Sequence, residues 1–305
     1  MTIRMEGRSQ SRGRRALIAA VACLAAIGCH RPATHKPARQ VVLPPEMEYS
    51  PPPPLPGSRA TAKSVEETLV LGTSLERRPI EAIVFGRRGE TTLIMGGFHG
   101  NESTGVELCR SLVGYLRDHP EVYPDRRIAI IPEVNPDGVA HGTRANRNGV
   151  DINRNFPASN FPARPSGRFA GGRRPASEAE TRAVLMATRR LQPAKIVSIH
   201  SIAAGRHGNN YDGPAHALAT IMSRYNRYPV LPTMGYETPG SFGTWAGVDQ
   251  RIPTITLELP GNVSPARCWE VNREAILAAI RFVPPDGGTL RAGTDSGSRA
   301  TAVGK

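Results

Sequence analysis

Apolar residues recur along the chain in two rhythms. Short apolar runs stand at Ile80 to Phe85, Thr92 to Met95, Ile128 to Ile131, Ile196 to Ile199 and Thr254 to Leu259, each bounded by turn-forming residues, and these predict strands. Between them the spacing changes to that of a helix. Val106, Leu108, Leu112, Val113 and Leu116 fit one face of a helix from about Ser103 to Asp118. Ser177 and Glu180 have the spacing of a capping box, predicting a helix that runs to about Leu191. Pro265 suits a first helical position and opens a last helix to about Phe282. This alternation predicts an α/β fold, a single domain whose mostly parallel or mixed central sheet is covered by helices. Ligands collect at the carboxyl ends of strands in such sheets, so the chemistry is sought there.

Both ends of the chain break the pattern. Arg12, Arg14 and Arg15 precede an apolar stretch from Ala16 to Ile27. That stretch is short of the roughly 20 residues needed to span a bilayer and has the layout of an export signal. It runs into Ala26-Ile27-Gly28-Cys29, which resembles a bacterial lipobox and implies that Cys29 is lipidated and begins the mature chain. Prolines at 32, 37, 44, 45, 51 to 54 and 56 then suit an extended spacer, and residues 284–305 are small, polar and turn-prone. The expected organisation is a lipoprotein-type signal over 1–28, a Pro-rich linker over 29–63, a folded domain over 64–283 and a disordered tail over 284–305. The expected location is outside the cytoplasm, in the periplasm or an equivalent space, with a membrane anchor at Cys29.

Charge changes the picture little. The net charge is +13, yet residues 1–28 hold five Arg against one Glu, and residues 29–63 hold five basic against two acidic residues. About half of the excess therefore lies outside the predicted fold, and no nucleic-acid partner is expected. Beyond Cys29, Cys109 and Cys268 fall within the folded domain; an exported protein permits a disulfide, but their spacing does not require one.

The strand ends carry the candidate chemistry. After Met95 comes Gly96-Gly97-Phe98-His99-Gly100-Asn101-Glu102, an imidazole and a carboxylate that one turn can aim at one cation. Zinc takes His and Glu ligands, and a catalytic site has three protein ligands plus an open position. His200 follows the strand Lys195 to Ile199 in an equivalent position. Glu258 lies inside Thr254-Ile255-Thr256-Leu257-Glu258-Leu259, where burying an unpaired carboxylate is costly, and a general base facing a cleft fits that placement. The segment Arg144 to Pro157 holds Arg144, Arg147 and Arg154 with Asn146, Asn148, Asn153 and Asn155, side chains suited to gripping a carboxylate.

His99-x-x-Glu102, Gly149 to Phe156, Ser198-Ile199-His200-Ser201 and Thr256-Leu257-Glu258 stand in the order and rough spacing of the zinc carboxypeptidases related to carboxypeptidase A. The resemblance covers about residues 65–282. It implies one zinc per chain on His99, Glu102 and His200, with Glu258 as general base and Arg144 polarising the scissile carbonyl. It further implies Asn153 and Arg154 as the clamp for a terminal carboxylate, Tyr236 as the mobile residue that covers the substrate, and Asp151 as the group orienting His99.

The chain departs from the digestive members. Asn101 stands where many have Arg, and Gly243, seven residues beyond Tyr236, offers neither an acid for basic side chains nor a large apolar group. The short core, His99-Gly100-Asn101-Glu102 and Pro239 to Trp245 resemble the bacterial murein tripeptide amidase branch, which implies a cell-wall peptide cut between D-glutamate and diaminopimelate. Two other classes stand beside this one. A zinc deacylase of the succinylglutamate desuccinylase or aspartoacylase kind shares the His-Gly-Asn-Glu motif, whereas Arg144, Asn153, Arg154 and Tyr236 favour a peptide. A non-catalytic wall-binding lipoprotein would not need a full ligand set together with Glu258.

Overall fold

The computed structural model describes residues 66–163, 170–232 and 235–283, so the expected signal, lipidated Cys29, linker and tail lie outside the described residues. Among the described residues there are eight strands: β1 (Glu66–Thr73), β2 (Pro79–Phe85), β3 (Thr91–Met95), β4 (Arg127–Ile131), β5 (Lys195–Ile202), β6 (Gly208–Asp212), β7 (Val230–Leu231) and β8 (Thr254–Pro260). The helices are α1 (Ser103–Asp118), α2 (Pro136–His141), α3 (Ala179–Leu191), α4 (His216–Asn226) and α5 (Pro265–Arg281). The strands form one mixed sheet in the order β1-β2-β4-β3-β5-β8-β6-β7. Its centre, β4-β3-β5-β8, is parallel, and β2 and β6 flank it antiparallel.

Period-two alternation feeds two cores. Ile94 of β3 packs with Leu108, Leu112 and Leu116 of α1, Met222 of α4 and Ile276 of α5. Its neighbours Leu93 and Met95 turn to the other face, among Ala183, Val184 and Leu191 of α3. Strands covered on both faces read as continuous apolar runs, which is why the central strands stand out in the sequence. From β3 the chain crosses to β4 on one side and later reaches β5 on the other. The crevice beyond the ends of β3 and β5 is therefore the switch point at which ligands bind in open α/β sheets.

The expected elements are found, with one local correction. Ser264 caps α5 by accepting from the Arg267 amide, and Pro265 takes the first turn. Helix α3, however, starts behind Glu178 with no side-chain cap. The Ser177 hydroxyl instead donates to Glu178 Oε1 at 2.6 Å and accepts from Asn155 Nδ2 at 2.9 Å, so the capping box does not form. Cys109 and Cys268 are buried free thiols, and no disulfide joins them. Among the described residues no helix is long and apolar enough to cross a membrane.

Candidate active site

The turn after β3 folds tightly because its glycines leave no alternative. A Cβ on Gly100 would lie 1.8 Å from the carbonyl carbon of Gly138 in α2, and Gly97 takes φ +63°. The turn delivers His99, and Glu102 stands at the N-terminal end of α1. His200 arrives from β5, which runs two residues beyond it, and its register partner on β8 is Glu258. One ligand atom from each of His99, Glu102 and His200 lies within 4.8 Å of the others.

The outer nitrogens fix how the imidazoles face. His99 Nε2 is 3.0 Å from Asp151 Oδ1, and a carboxylate acceptor there requires Nε2 to carry the proton. His200 Nε2 lies 3.1 Å from Ser198 Oγ, a hydroxyl able to accept from it, and the ring stacks on Phe98 at a centroid distance of 5.3 Å. With the proton on Nε2 in both rings, each presents a bare Nδ1 inward, and the two atoms are 3.3 Å apart. Two lone pairs at that distance have nothing to donate to each other. Glu102 adds Oε1 at 2.7 Å from His99 Nδ1 and Oε2 at 3.0 Å from His200 Nδ1. Two inward imidazole nitrogens and a carboxylate with one oxygen beside each of them suit the three protein ligands of a tetrahedral zinc with bonds of about 2.0–2.1 Å. The donor set fits zinc.

The electrostatics of the cleft are set by its buried carboxylates. Burial opposes protonation of His99, but the adjoining Glu102 and Asp151 carboxylates outweigh it and raise its pKa. Burial also opposes ionisation of Asp151, yet its hydrogen bond to His99 and the charges of His99, Arg144 and Arg154 bring it down to about 2. Glu258 is 5 % exposed, Oε2 has no hydrogen-bond partner, and burial with the nearby Glu102 charge pushes its pKa up to about 8.

Around the cluster, the cleft is lined by Arg144, Asn153, Arg154, Tyr236 and Glu258, so every residue expected from the resemblance reaches one place. Asp151 supports the cluster from behind. Arg144 Nη1 is 3.2 Å from Glu102 Oε1 and its Nε donates to Asp151 Oδ2 at 3.1 Å. Arg154 is buried and donates from Nη1 to the Asn153 carbonyl at 2.7 Å. Asn153 Oδ1 accepts from the Phe242 amide, leaving its Nδ2 near His200 at 3.5 Å. Tyr236 is 48 % exposed at the mouth, 6.0 Å from the Arg206 guanidinium. Other polar residues of the same segment are structural: Asn146 and Asn148 donate to Glu178 Oε2, and Arg147 pairs with Glu76.

The sequence reading missed two groups. Ser198, which holds the outer nitrogen of His200, lies two residues before it on the same strand face, a spacing that could have flagged it. Asp212, from β6, lines the cleft against Gly243. An acid does reach the place where Gly243 itself supplies none, and it comes from a strand too polar to be recognised by an apolar run.

Comparison with known proteins agrees with this geometry. The zinc carboxypeptidase profile matches residues 58–287. Murein peptide amidase A of Escherichia coli is 34 % identical over 214 residues, covering 65 % of this chain and 82 % of that protein, and its Vibrio campbellii counterpart is 31 % identical over 210 residues, covering 63 % and 78 %. The crystal structure of the murein-tripeptide amidase from Escherichia coli O157 superposes with a TM-score of 0.57 at 33 % identity, covering 71 % of this chain and 92 % of that one. Bovine thrombin-activatable fibrinolysis inhibitor shares the fold, with a TM-score of 0.61 at 20 % identity over 70 % of this chain and 88 % of that one. Ligand cluster, mixed sheet and sequence together place this chain in the zinc carboxypeptidase family.

Proposed function

We propose that this hydrolase cuts murein peptides at the amide between D-glutamate and diaminopimelate. The observation that carries the reading is the buried, partnerless Glu258 Oε2 facing the same cleft as the His99–Glu102–His200 cluster. The identity to murein peptide amidase A over most of that protein's length supports the substrate class. Zinc on the cluster supplies Lewis acidity towards water and the scissile carbonyl. Glu258 takes a proton from the attacking water and returns it to the leaving amine. Arg144 donates to the carbonyl oxygen as it gains charge. Arg154 and Asn153 Nδ2 hold the terminal carboxylate, and Tyr236 closes over the substrate.

The sequence adds a setting to this chemistry. An export signal over residues 1–28, with Cys29 lipidated as the first mature residue and a Pro-rich spacer behind it, would tether the enzyme by a lipid outside the cytoplasm, where wall peptides occur. Membrane fractionation of wild type and Cys29→Ser tests this. The variant is expected to leave the membrane fraction or stay unprocessed, and unchanged fractionation rejects the anchor.

The substrate test is mass spectrometry of L-Ala-γ-D-Glu-diaminopimelate after incubation with the zinc-loaded protein. The expected products are L-Ala-D-Glu and free diaminopimelate, with no turnover once the carboxylate beside the scissile amide is amidated. Equal cleavage of the amidated peptide contradicts the clamp. Hydrolysis of an N-acyl amino acid in place of the peptide establishes a deacylase instead.

A further inference from the structure

The end of the sheet opposite the cleft carries charge that none of the roles above uses. The parallel strands β3, β4, β5 and β8 begin there, and backbone bonds hold their entry loops together. The Ala194 amide donates to the Thr91 carbonyl, the Arg127 amide to the Glu90 carbonyl and the Ile196 amide to the Pro253 carbonyl. Helix α5 ends at the same place, since Arg126 Nη2 donates to the Arg281 carbonyl at 3.4 Å and the buried Lys195 Nζ to the Phe282 carbonyl at 2.8 Å.

These loops are rich in arginine. Arg87 and Arg88 are exposed on the turn between β2 and β3, which lies flat on the loop before β4. A Cβ on Gly86 would come within 2.1 Å of the Arg126 carbonyl oxygen, and one on Gly89 within 1.9 Å of that of Asp125. Arg126 and Arg127 are half-buried beneath that turn. Arg189 and Arg190 are exposed in the last turn of α3, Arg251 in the loop before β8 and Arg281 at the end of α5. Among the described residues none of these eight side chains has an ion pair. The acids of this end are fewer. Glu66 pairs with Arg117, Glu121 with His119, and Glu90 lies 4.0 Å from Lys195, which leaves Glu67, Asp118 and Asp125. Like charges gathered at one end repel one another, and a surface of fixed negative charge relieves that repulsion.

The chain also enters the domain here. Glu66, the first residue of β1, has Phe85 as its register partner, one residue before Gly86. The expected linker over 29–63 therefore joins the domain at its basic end, with the zinc ligands at the other.

We propose that this basic end is a docking surface for a bilayer of anionic phospholipids. The lipid on Cys29 brings the domain to the bilayer, and the arginines turn it so that the cleft faces away, towards the wall. That orientation rests on the tether proposed above, whereas binding of the headgroups by the arginines does not. Each guanidinium close to such a surface contributes about 5-fold in affinity.

The test is co-sedimentation of the mature chain from residue 29, carrying Cys29→Ser so that no lipid contributes, with vesicles of phosphatidylglycerol and phosphatidylcholine in equal parts or of phosphatidylcholine alone. Binding is expected to the anionic vesicles only, weakening as salt rises. Arg87→Gln, Arg88→Gln and Arg190→Gln together should weaken it about 100-fold. A control set of equal charge, Arg224→Gln, Arg227→Gln and Arg267→Gln, lies at the cleft end, where α4 leads into β7 and α5 leaves β8. It should change binding by less than about 5-fold, because it sits beyond a Debye length of about 10 Å from the docked face. Both sets should keep the thermal midpoint, a check on folding that needs no substrate. If the first set unfolds, Arg87→Gln with Arg88→Gln is read alone, with a loss of about 25-fold expected. Equal binding to both kinds of vesicle, equal losses in the two sets, or no binding by the parent chain overturns the proposal. Displacement by free glycerol phosphate at matched ionic strength marks a small-anion site and overturns it as well. In cells, a salt wash separates this contact from the tether: it should release Cys29→Ser from membranes and leave the lipidated chain behind.

Discussion

Strands β5 and β8 have two faces with opposite chemistry. Val197, Ile199, Ile255 and Leu257 enter the apolar core under α1, α4 and α5. The residues between them, Ser198, His200, Thr256 and Glu258, turn to the other side, where His200, Thr256 and Glu258 line the cleft and Ser198 braces His200 from behind. The same backbone therefore builds a stable wall and a reactive one. The dry face satisfies itself by packing, whereas the cleft face turns two imidazole nitrogens inward beside Glu102 and keeps an orphaned carboxylate oxygen on Glu258.

Substitutions on the two faces should separate stability from chemistry. The largest effect is expected from Glu258→Gln, which removes the base and leaves the ligands. Turnover should fall by about 10²- to 10⁴-fold with zinc content and thermal midpoint kept, and retained activity would remove Glu258 from proton transfer. On the dry face, Leu257→Ala should cost about 2–5 kcal/mol in denaturant unfolding while leaving kcat per folded molecule alone. A loss of kcat without a loss of stability would mean that the two faces are not separable.

A smaller effect sharpens the comparison within the cleft face. Ser198→Ala removes the outer partner of His200 and should weaken zinc binding about 10- to 100-fold in a competition titration with a chelator, without unfolding the domain. Unchanged affinity would show that Phe98 stacking and Asn153 orient His200 without Ser198. The mildest test probes the dry side. Burial pushes the Cys109 thiol up to about 12. Neither it nor the buried Cys268 should react with a maleimide at pH 8 until the protein is unfolded, and rapid native labelling of Cys109 would show that the α1 face opens.

The asymmetry between faces also explains what could be read from the sequence. The central strands and α1 are legible because both of their neighbours are greasy and the periodicity is complete. β6 is not, because Gly208-Asn209-Asn210-Tyr211-Asp212 points Asn210 and Asp212 into the cleft while Asn209 bonds Asn226 on the opposite side. β1 is hidden by its edge position, with Leu69 and Leu71 buried and Val70 between them 60 % exposed. α4 starts behind Ala215 with no side-chain cap, so nothing marks its beginning. The ligand set was legible as ordered motifs. The division of the Asn- and Arg-rich segment into cleft residues and braces was not, since it depends on Glu178 and Glu76 arriving from other elements.

The central claim is that the cleft face of β5, with the turn after β3, is a zinc site. Metal analysis of the purified protein, wild type beside His200→Ala, tests it most directly. The prediction is about one zinc per chain in the wild type, as three protein ligands and one open position imply, and loss of most of it in a variant that keeps its circular dichroism. Full zinc occupancy in folded His200→Ala, or no zinc retained by the wild type, would contradict it.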